Sequence, residues 1–262
     1  MSSPLLGIIL GFAALIGTMI LEGSNPASFL SVSAITIILV GSLSATLTSF
    51  DLKTIRNLPK FFGFAFSPPK IDLGATITQF YEFSIKSRRE GLLSLEDEVE
   101  DIEDEVMRIG MRMVIDGADT EILEDTMDQL VLADEKSKKE AQEVFETLGG
   151  FSPTMGIVGT VMGLVHVLEG LGTGNLEALG SGIAVAFIAT FYGIGLANLV
   201  WIPLSNRVRF LIGQLRINRE IMVDGMRSVQ NGMSPEMVKE RMIAHVPEAE
   251  ERAHLRKSMA AE

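Results

Sequence analysis

The sequence predicts an all-α membrane protein with four transmembrane helices and a cytoplasmic helical domain between the second and third helices. Two observations predict this fold class. The chain has 262 residues, of which 47% are hydrophobic, and its mean hydropathy is +0.31 although 21% of the residues are charged. The two kinds of residue are also segregated, because all 22 Lys and Arg residues lie within 53–139 or 207–257. Such a chain alternates between lipid and water.

Four apolar runs without Lys or Arg supply the predicted membrane spans. A helix needs about 20 apolar residues to cross the hydrocarbon layer, and each run offers a stretch of this order. The runs are 5–21, 29–50, 151–171 and 178–204. The predicted organisation is therefore membrane helices one and two in 1–50, a cytoplasmic helical domain in 51–150, membrane helices three and four in 151–205, and a cytoplasmic tail in 206–262.

The basic residues predict the orientation of these spans. Lys and Arg collect on the cytoplasmic side of a membrane. The short connections 22–28 and 172–177 contain neither residue and are expected outside, whereas 51–150 and the tail contain all of them. Both termini are therefore expected in the cytoplasm. The first run has no basic residues before it, so we expect a retained span and not a signal peptide.

Charge and composition exclude several classes of function. Residues 51–150 carry 12 basic and 23 acidic side chains, a net charge of −11, which argues against a nucleic-acid partner. The chain has no cysteine, so disulfides and thiolate metal sites are excluded. No nucleophile, metal cluster or acid–base pair is found at membrane depth, so neither an enzyme nor a cofactor is predicted.

The apolar runs also place the predicted elements of the first part of the chain in order. The first span is dotted with glycine, residues 23–26 form a short turn, and small residues fill the inner half of the second span, where another helix is expected to pack. Residues 53–66 then alternate apolar and basic side chains up to Pro68-Pro69. Two placements remain open for this segment: along the inner surface of the membrane, or over the core of the cytoplasmic domain.

The cytoplasmic domain is predicted to be a small helical bundle. Apolar residues recur at spacings of three and four from Leu95 to Met113, which indicates one amphipathic helix through a very acidic stretch. A second helix is expected over Ile122–Leu132, and a third over Lys136–Leu148. No alternation typical of strands is present.

The third and fourth spans are rich in small residues, which indicates close helix packing. The third is expected to open at Ser152-Pro153. It carries a thin stripe formed by Gly156, Gly159, Thr160 and Gly163. The fourth, with nine Gly, Ala and Thr residues from Gly180 to Ala197, ends near Trp201 and Pro203. After it, a polar helix to about Met233, a short helix from Ser234-Pro235 and a frayed last dozen residues are expected.

Few groups at membrane depth could take part in ion movement. His166 is the titratable one, either as a packed histidine or as a proton relay. If the protein moves ions, a partner is therefore expected to supply the carboxylate. Thr160 and Thr190 are the other polar groups. Each hydroxyl either bonds a carbonyl of its own helix or lines an ion path, where oxygen ligands suit a hard cation such as Na⁺.

The order of elements and several motifs resemble the MotA/PomA family of flagellar stator subunits. The segment 88–96 resembles the R-x-x-G-L-L-x-L-E motif of the family's cytoplasmic domain. Further motifs resemble the opening of its third span, its fourth span and its tail: 152–156 (SPTMG), 184–193 with Pro203, 224–225 and 230–232. The resemblance covers nearly the whole chain, and the motifs agree in order and spacing.

This resemblance implies roles for particular residues. Arg88 and Glu96 match the charged pair that contacts the rotor protein FliG. Pro153 and Pro203 match two prolines at the inner ends of the last two spans, where they are thought to couple ion passage to movement; physically, each could simply shape a helix end. Thr190 matches a threonine near the ion path.

The resemblance also implies an assembly and an ion. The family forms a pentameric ring around a dimer of a single-span, peptidoglycan-binding MotB/PomB-like partner in the bacterial inner membrane, and the partner's aspartate carries the ions. Thr160 matches a position where sodium-type members have threonine and proton-type members usually have alanine. Na⁺ is therefore favoured over H⁺ as the transported ion.

Three other functions remain as alternatives. An ExbB/TolQ-type energiser of an outer-membrane process shares the ring design, but such proteins usually have three spans and an outer N-terminus. An ordinary transporter would be expected to show broken helices or paired repeats, and neither is visible. A structural membrane scaffold without ion flow is the alternative from another class.

Overall fold

The computed structural model describes residues 3–170 and 176–259 and is helical, without a strand in those residues. It confirms the predicted all-α class. Four helices are long and apolar enough to span a membrane. The predicted outer connection 172–177 lies largely outside the described residues. The helices are α1 (Ser3–Leu21), α2 (Val32–Ser49), α3 (Leu52–Arg56), α4 (Leu58–Phe66), α5 (Leu73–Glu90), α6 (Glu96–Glu100), α7 (Glu105–Ile115), α8 (Thr120–Gly170), α9 (Leu176–Leu196), α10 (Ile202–Gln230), α11 (Pro235–Ala244) and α12 (Ala249–Ser258).

The chain forms two compact units whose boundaries differ from the four predicted segments. The first unit comprises the residues up to Pro68 together with Lys138–Leu211, and the second comprises Pro69–Ser137 and Ile212–Glu262. Residues of α8 and of α10 therefore contribute to both units.

The first unit contains the four apolar helical stretches. α1 buries no side chain, as expected of a helix that faces lipid. α2 buries one face with a spacing of four residues, formed by Ala34, Ile38, Ser42 and Thr46. The hydroxyls of Ser42 and Thr46 donate to carbonyls one turn earlier, at 2.5 and 2.8 Å, so no polar group on this face lacks a partner.

The amphipathic segment after α2 packs within the first unit. Phe61 and Ala65 of α4 are buried. The ring of Phe62 lies 5.1 Å from that of Phe145 and 6.2 Å from that of Trp201, centre to centre. The aromatic side chains of this segment therefore pack on residues of the first unit, and both predicted placements stay predictions. Trp201 itself stacks on Phe145 at the end of a π turn (Ala197–Trp201) that separates α9 from α10.

α8 runs unbroken through Pro153, so this proline does not shape a helix end, and the opening of the third span at Ser152-Pro153 stays a prediction. The separate helices predicted over 122–132 and 136–148 are parts of the same 51-residue helix. Proline removes one backbone hydrogen bond and crowds the carbonyl four residues earlier. Here that earlier residue is Gly149, and the neighbouring Ser152 hydroxyl donates to the Leu148 carbonyl at 2.7 Å. Long helical flanks on both sides hold the continuous helix.

The single helix predicted from Leu95 to Met113 is also wrong. A 3₁₀ turn (Leu92–Leu95) leads into the five-residue α6, and α7 starts only at Glu105. Asp104 ends the interruption by accepting the Met107 N–H at 3.0 Å as an N-cap. The apolar pattern nevertheless marked the core correctly, since Leu95, Val99 and Val106 are buried.

The second unit has a core rich in methionine and phenylalanine. It includes Phe80 of α5, Met107 and Met111 of α7, Met127 of α8 and Met226 of α10, all essentially inaccessible. A Cβ atom on Gly225 would lie 2.7 Å from the Phe80 ring, so this glycine of the tail motif allows α10 to approach α5.

The tail ends in ordered helices. α10 stops at Gln230, short of the predicted end near Met233, and Gly232 takes the left-handed conformation with φ +64°. The predicted short helix from Pro235 is confirmed as α11. The predicted fraying is wrong for 251–258, which belong to α12, whereas 260–262 lie outside the described residues. The Leu255 side chain of α12 is buried, and Arg256 binds Glu240 of α11 through two nitrogens at 2.9–3.1 Å.

Candidate functional site

α8 and α9 pack with almost no side chain between them. A Cβ atom on Gly156 would lie 3.0 Å from the Ala189 carbonyl oxygen, and one on Gly193 would lie 2.6 Å from the Ser152 carbonyl oxygen. Gly163 faces Ala186 in the same way. The predicted glycine stripe of the third span therefore brings two backbones together, as small residues do in membrane helices.

The two threonines predicted to line an ion path lie opposite each other at this contact. The hydroxyls of Thr160 and Thr190 form a hydrogen bond to one another. The Thr160 oxygen also lies 3.1 Å from the Gly156 carbonyl oxygen and 2.9 Å from the Ala186 carbonyl oxygen. The Thr160 hydroxyl can donate its one proton either to the Gly156 carbonyl of its own helix or to the Ala186 carbonyl of α9, and it can accept a hydrogen bond from the Thr190 hydroxyl. Both side chains are half-buried.

The cluster gathers oxygens and carries no formal charge. Two hydroxyls and two carbonyls are the kind of ligand that hard cations accept. Toward the C-terminal end of α8, the acidic residue nearest to Thr160 in sequence is Glu169, nine residues and about 13 Å of helix rise away. Within the described residues of α8 and α9, no carboxylate therefore stands at the depth of the pair.

His166 belongs to a different environment from the threonine pair. Its side chain is exposed and lines a cavity of about 260 Å³ together with Ser33 and small residues of α2, α8 and α9. It lies six residues, or about 9 Å of helix rise, beyond Thr160. A proton relay through His166 and a packed histidine both remain predictions.

The two prolines occupy different kinds of helix. Pro153 is half-buried inside α8, about 10 Å of helix rise before Thr160. Pro203 is exposed and is the second residue of α10, directly after the π turn. Proline and a π turn both disturb the helical hydrogen-bond ladder. The ladder of the fourth span is therefore weakest between 197 and 203.

Arg88 and Glu96 lie in the second unit, on either side of a sharp corner. Arg88 is in the last turn of α5 and Glu96 starts α6, and both side chains are exposed. Gly91 makes the corner with φ +88°, a conformation that side chains disfavour, which explains the glycine of the motif. Neither charge forms an ion pair with another described residue, whereas Lys86 beside them binds Glu98 at 2.6 Å. This hydrogen bond raises the pKa of Lys86.

Sequence reasoning missed two polar contacts that fix the elements around these residues. The Tyr192 hydroxyl donates to the Phe29 carbonyl at 2.7 Å, which ties α9 to the turn before α2. In the second unit, buried Asp224 binds Arg241 of α11, and His245 lies 3.4 Å from the same carboxylate. The hydrogen bond from Arg241 to Asp224 raises the pKa of Arg241. An acid on the apolar face of a predicted helix was the available signal for the second contact.

Comparisons with known proteins agree with this arrangement. Residues 98–220 match the model of the MotA/TolQ/ExbB proton channel family. Motility protein A of Bacillus subtilis is 34% identical over 246 residues, which cover 94% of this chain and 90% of that protein.

Two solved structures are similar over the same length. The MotAB structure of C. jejuni superposes with a TM-score of 0.89 at 28% identity, and the flagellar MotAB stator complex of Bacillus subtilis with 0.88 at 33%; each match covers 95% of this chain and 97% of the other. The chain therefore belongs to the MotA/TolQ/ExbB proton channel family, among its motility protein A members.

Proposed function

We propose that the chain is the ion-conducting stator subunit of a bacterial flagellar motor, and that it passes Na⁺ inward together with a MotB/PomB-like partner. The observation that carries this proposal is the Thr160–Thr190 hydroxyl pair at the backbone contact of α8 and α9. The full-length similarity to chains of MotAB complexes supports the stator role.

The coupling ion follows from the chemistry of the pair. Na⁺ must replace lost water with oxygen ligands, whereas a proton can travel along water to a carboxylate. Two hydroxyls and the Ala186 carbonyl within hydrogen-bond distance of one another offer such ligands. H⁺ is the second candidate, because the family model that matches this chain is named for proton channels.

In this proposal, the partner supplies a negative charge at the depth of the threonine pair, where the described residues of α8 and α9 have no carboxylate. A pentameric ring around a partner dimer would place an aspartate of the partner next to the pair formed by Thr160 and Thr190. Each unit charge that crosses 100 mV releases about 2.3 kcal/mol. The glycine and alanine surfaces of α8 and α9 give such a ring a thin, smooth wall on which to move past the partner.

The second unit transmits the movement to the rotor. Arg88 and Glu96 are exposed and form no ion pair with another described residue, so both charges are available to a rotor protein such as FliG. In this arrangement both termini and the second unit lie in the cytoplasm, and the protein lies in the inner membrane, as the distribution of basic residues favours. Pro153 and Pro203 are the residues through which ion passage would bend the helices.

Swimming speed tests this function. Cells that rely on this stator and its partner are measured while external Na⁺ is stepped at fixed pH and membrane potential. Thr160→Val removes the hydroxyl but keeps the shape, and Thr160→Ser keeps the hydroxyl. We expect speed to rise with Na⁺ in the wild type and in Thr160→Ser. In Thr160→Val, the half-maximal Na⁺ concentration should increase by about 5–10-fold, as expected for one lost oxygen ligand.

Three results would contradict the proposal at different levels. Speed that ignores Na⁺ and collapses with a protonophore would identify a proton stator, and the threonine pair would then only hold α8 to α9. Cells that never swim but show a defect in energised outer-membrane uptake would identify an ExbB/TolQ-type energiser. A membrane scaffold would give no ion-dependent phenotype at all.

A further inference from the structure

A cavity of about 320 Å³ lies between α1 and the junction of the π turn with α10, inside the first unit. This volume is at the lower end of the range of about 300–1,000 Å³ found for ligand pockets. Its walls are largely apolar, from Ile8, Leu199 and Leu204, and its polar groups include Asn198 and Arg207.

The cavity exists because α1 and the fourth span separate toward one end. At Gly11 a Cβ atom would lie 2.8 Å from the Leu199 side chain, so the two helices touch there. One turn earlier, at Gly7, a Cβ atom would meet nothing within 4 Å. The groove therefore opens as a wedge toward Ser3 and Arg207, the end of the membrane helices where the basic residues begin.

Arg207 lines this groove and has no hydrogen-bond or ion-pair partner among the described residues. Its Nε is buried and forms no hydrogen bond. The one described interaction of its guanidinium is with the ring of Phe210, at 5.6 Å from the ring centre. Arg209, two residues on, donates instead to the Asn206 side chain at 2.8 Å. No Asp or Glu occurs in 3–21 or 179–219, so neither wall of the groove can neutralise Arg207.

We propose that this groove holds an anionic phospholipid, with its phosphate bound by Arg207 and the start of an acyl chain lying between Ile8 and Leu199. Arginine matches the geometry of a phosphate through two or more N–H donors. Basic pockets between membrane helices on the cytoplasmic side are typical sites for anionic head groups. The apolar walls exclude a small soluble anion as the natural occupant, because such an ion would leave them without a partner.

The charge of the surroundings favours an anionic lipid over a zwitterionic one. Lys53, Arg56 and Lys60 of α3 and α4 belong to the same unit and lie at the same end of the membrane helices. Their combined potential attracts negative head groups. The lipid site rests on insertion of these helices in a membrane, and not on the coupling ion or on the rotor contact, so the swimming experiment and the lipid experiment can fail independently.

Retention of lipid by the full assembly tests the site. The chain is purified with its partner from nanodiscs that contain equal amounts of phosphatidylglycerol and phosphatidylcholine, and native mass spectrometry identifies the lipid that stays bound. We expect preferential retention of phosphatidylglycerol by the wild type. Arg207→Gln should reduce this retention by about tenfold, as expected for loss of a charge-assisted hydrogen bond. Arg209→Gln is the matched control and should change nothing.

A second variant tests the groove without changing its charge. Gly7→Leu fills the open end of the wedge and should expel the lipid while Arg207 remains. Equal retention by the wild type, Arg207→Gln and Gly7→Leu would overturn the site. So would equal retention of both lipids, or displacement of the lipid by inorganic phosphate alone, which would identify a soluble-anion site. An assembly that retains no lipid, and in which Ile8→Cys cross-links to a second copy of this chain, would overturn the site by showing that the groove is an interface between subunits.

Discussion

Gly193 shows how little space a single residue of the α8–α9 contact leaves. Its hydrogen atoms face the Ser152 carbonyl oxygen and the Cα atom of Gly156, both of which are backbone atoms that cannot rotate away. The position can therefore accept no side chain unless the helices separate. Gly195 lies two residues later on the same helix, and a Cβ atom there would meet nothing within 4 Å.

We expect Gly193→Ala to separate α8 from α9 and to cost about 1–3 kcal/mol of stability, the usual penalty for overpacking. The hydroxyl pair at Thr160 and Thr190 would be pulled apart at the same time. The measurement is the amount of folded chain in the membrane together with swimming speed. Gly195→Ala is the control and should leave both unchanged; equal behaviour of the two variants would refute the close contact.

The pairing of Thr160 with Thr190 shows what residue patterns can and cannot predict. Each threonine could be selected from the sequence as a polar group at membrane depth, and the motifs of the resemblance pointed to the same two positions. Their hydrogen bond joins residues thirty positions apart. The distance between the two hydroxyls cannot be predicted from the local spacing of residues, because it depends on how α8 and α9 align beside each other.

At the scale of elements, α8 shows why a proline was an unsafe helix boundary. A proline inside a helix usually ends or bends that helix in water. Here a long polar helix precedes it and an apolar one follows, so the cost of one lost hydrogen bond is spread over a 51-residue element. Lipid also favours continuation, since every broken backbone bond at membrane depth would lack a partner. At 101–104 the error was the opposite one, since a continuous helix was predicted where the structure has a break. In water, the Asp104 side chain can accept a hydrogen bond from a backbone N–H group, which offers the chain an alternative to continuing the helix.

The tie between α10 and α11 gives a test at this scale. Asp224 is buried and binds Arg241, while Glu220 one turn earlier is exposed and binds Arg216 at 3.0 Å. We expect Asp224→Asn to destabilise the second unit by about 1–3 kcal/mol because it removes the buried charged acceptor of the Arg241 hydrogen bonds. Glu220→Gln breaks a surface pair and should cost no more than about 0.5 kcal/mol. Thermal unfolding of the purified chain in detergent measures both.

The pKa of Arg241 determines how the contact between Asp224 and Arg241 depends on pH. Its pKa is raised above its ordinary value by the hydrogen bond to Asp224. A raised pKa of a base stabilises the fold at all pH values below the unfolded pKa, and this stability is lost only as the pH rises through the folded pKa. Arg241 therefore contributes no pH dependence to the difference between wild type and Asp224→Asn over the neutral range. A large change of this difference between about pH 6 and 8 would contradict Arg241 as the main partner of Asp224.

At the scale of the whole molecule, the structure groups the chain into two units that differ from the segments predicted from the sequence. The hydropathy profile placed boundaries where apolar runs end, at 51, 151 and 206. The structure assigns 51–68 and 138–150 to the unit that contains the membrane helices, and most of the tail to the other unit. Packing of Phe62 on Phe145 and of Phe80 beneath Gly225 decides this division, and neither contact is visible in a hydropathy profile.

This division predicts that rotor contact and folding can be separated by mutation. We expect Arg88→Glu to abolish or strongly reduce swimming, because its charge is exposed and available to the rotor. The unfolding temperature and the amount of assembly in the membrane should remain at wild-type values, since surface substitutions usually change stability by less than about 0.5 kcal/mol. Lys257→Glu makes the same charge change at an exposed position of α12 and should swim normally. Loss of the assembly in Arg88→Glu would instead assign this residue a structural role.

The π turn has a practical consequence for experiments on the working motor. Trp201 closes this turn, stacks on Phe145, and is the one tryptophan of the chain. All indole fluorescence of this subunit therefore originates from a single place, directly before Pro203. A change in the helix there alters the environment of that ring and hence the colour and intensity of its emission. The subunit carries a built-in optical probe at the segment where the hydrogen-bond ladder of its fourth span is weakest.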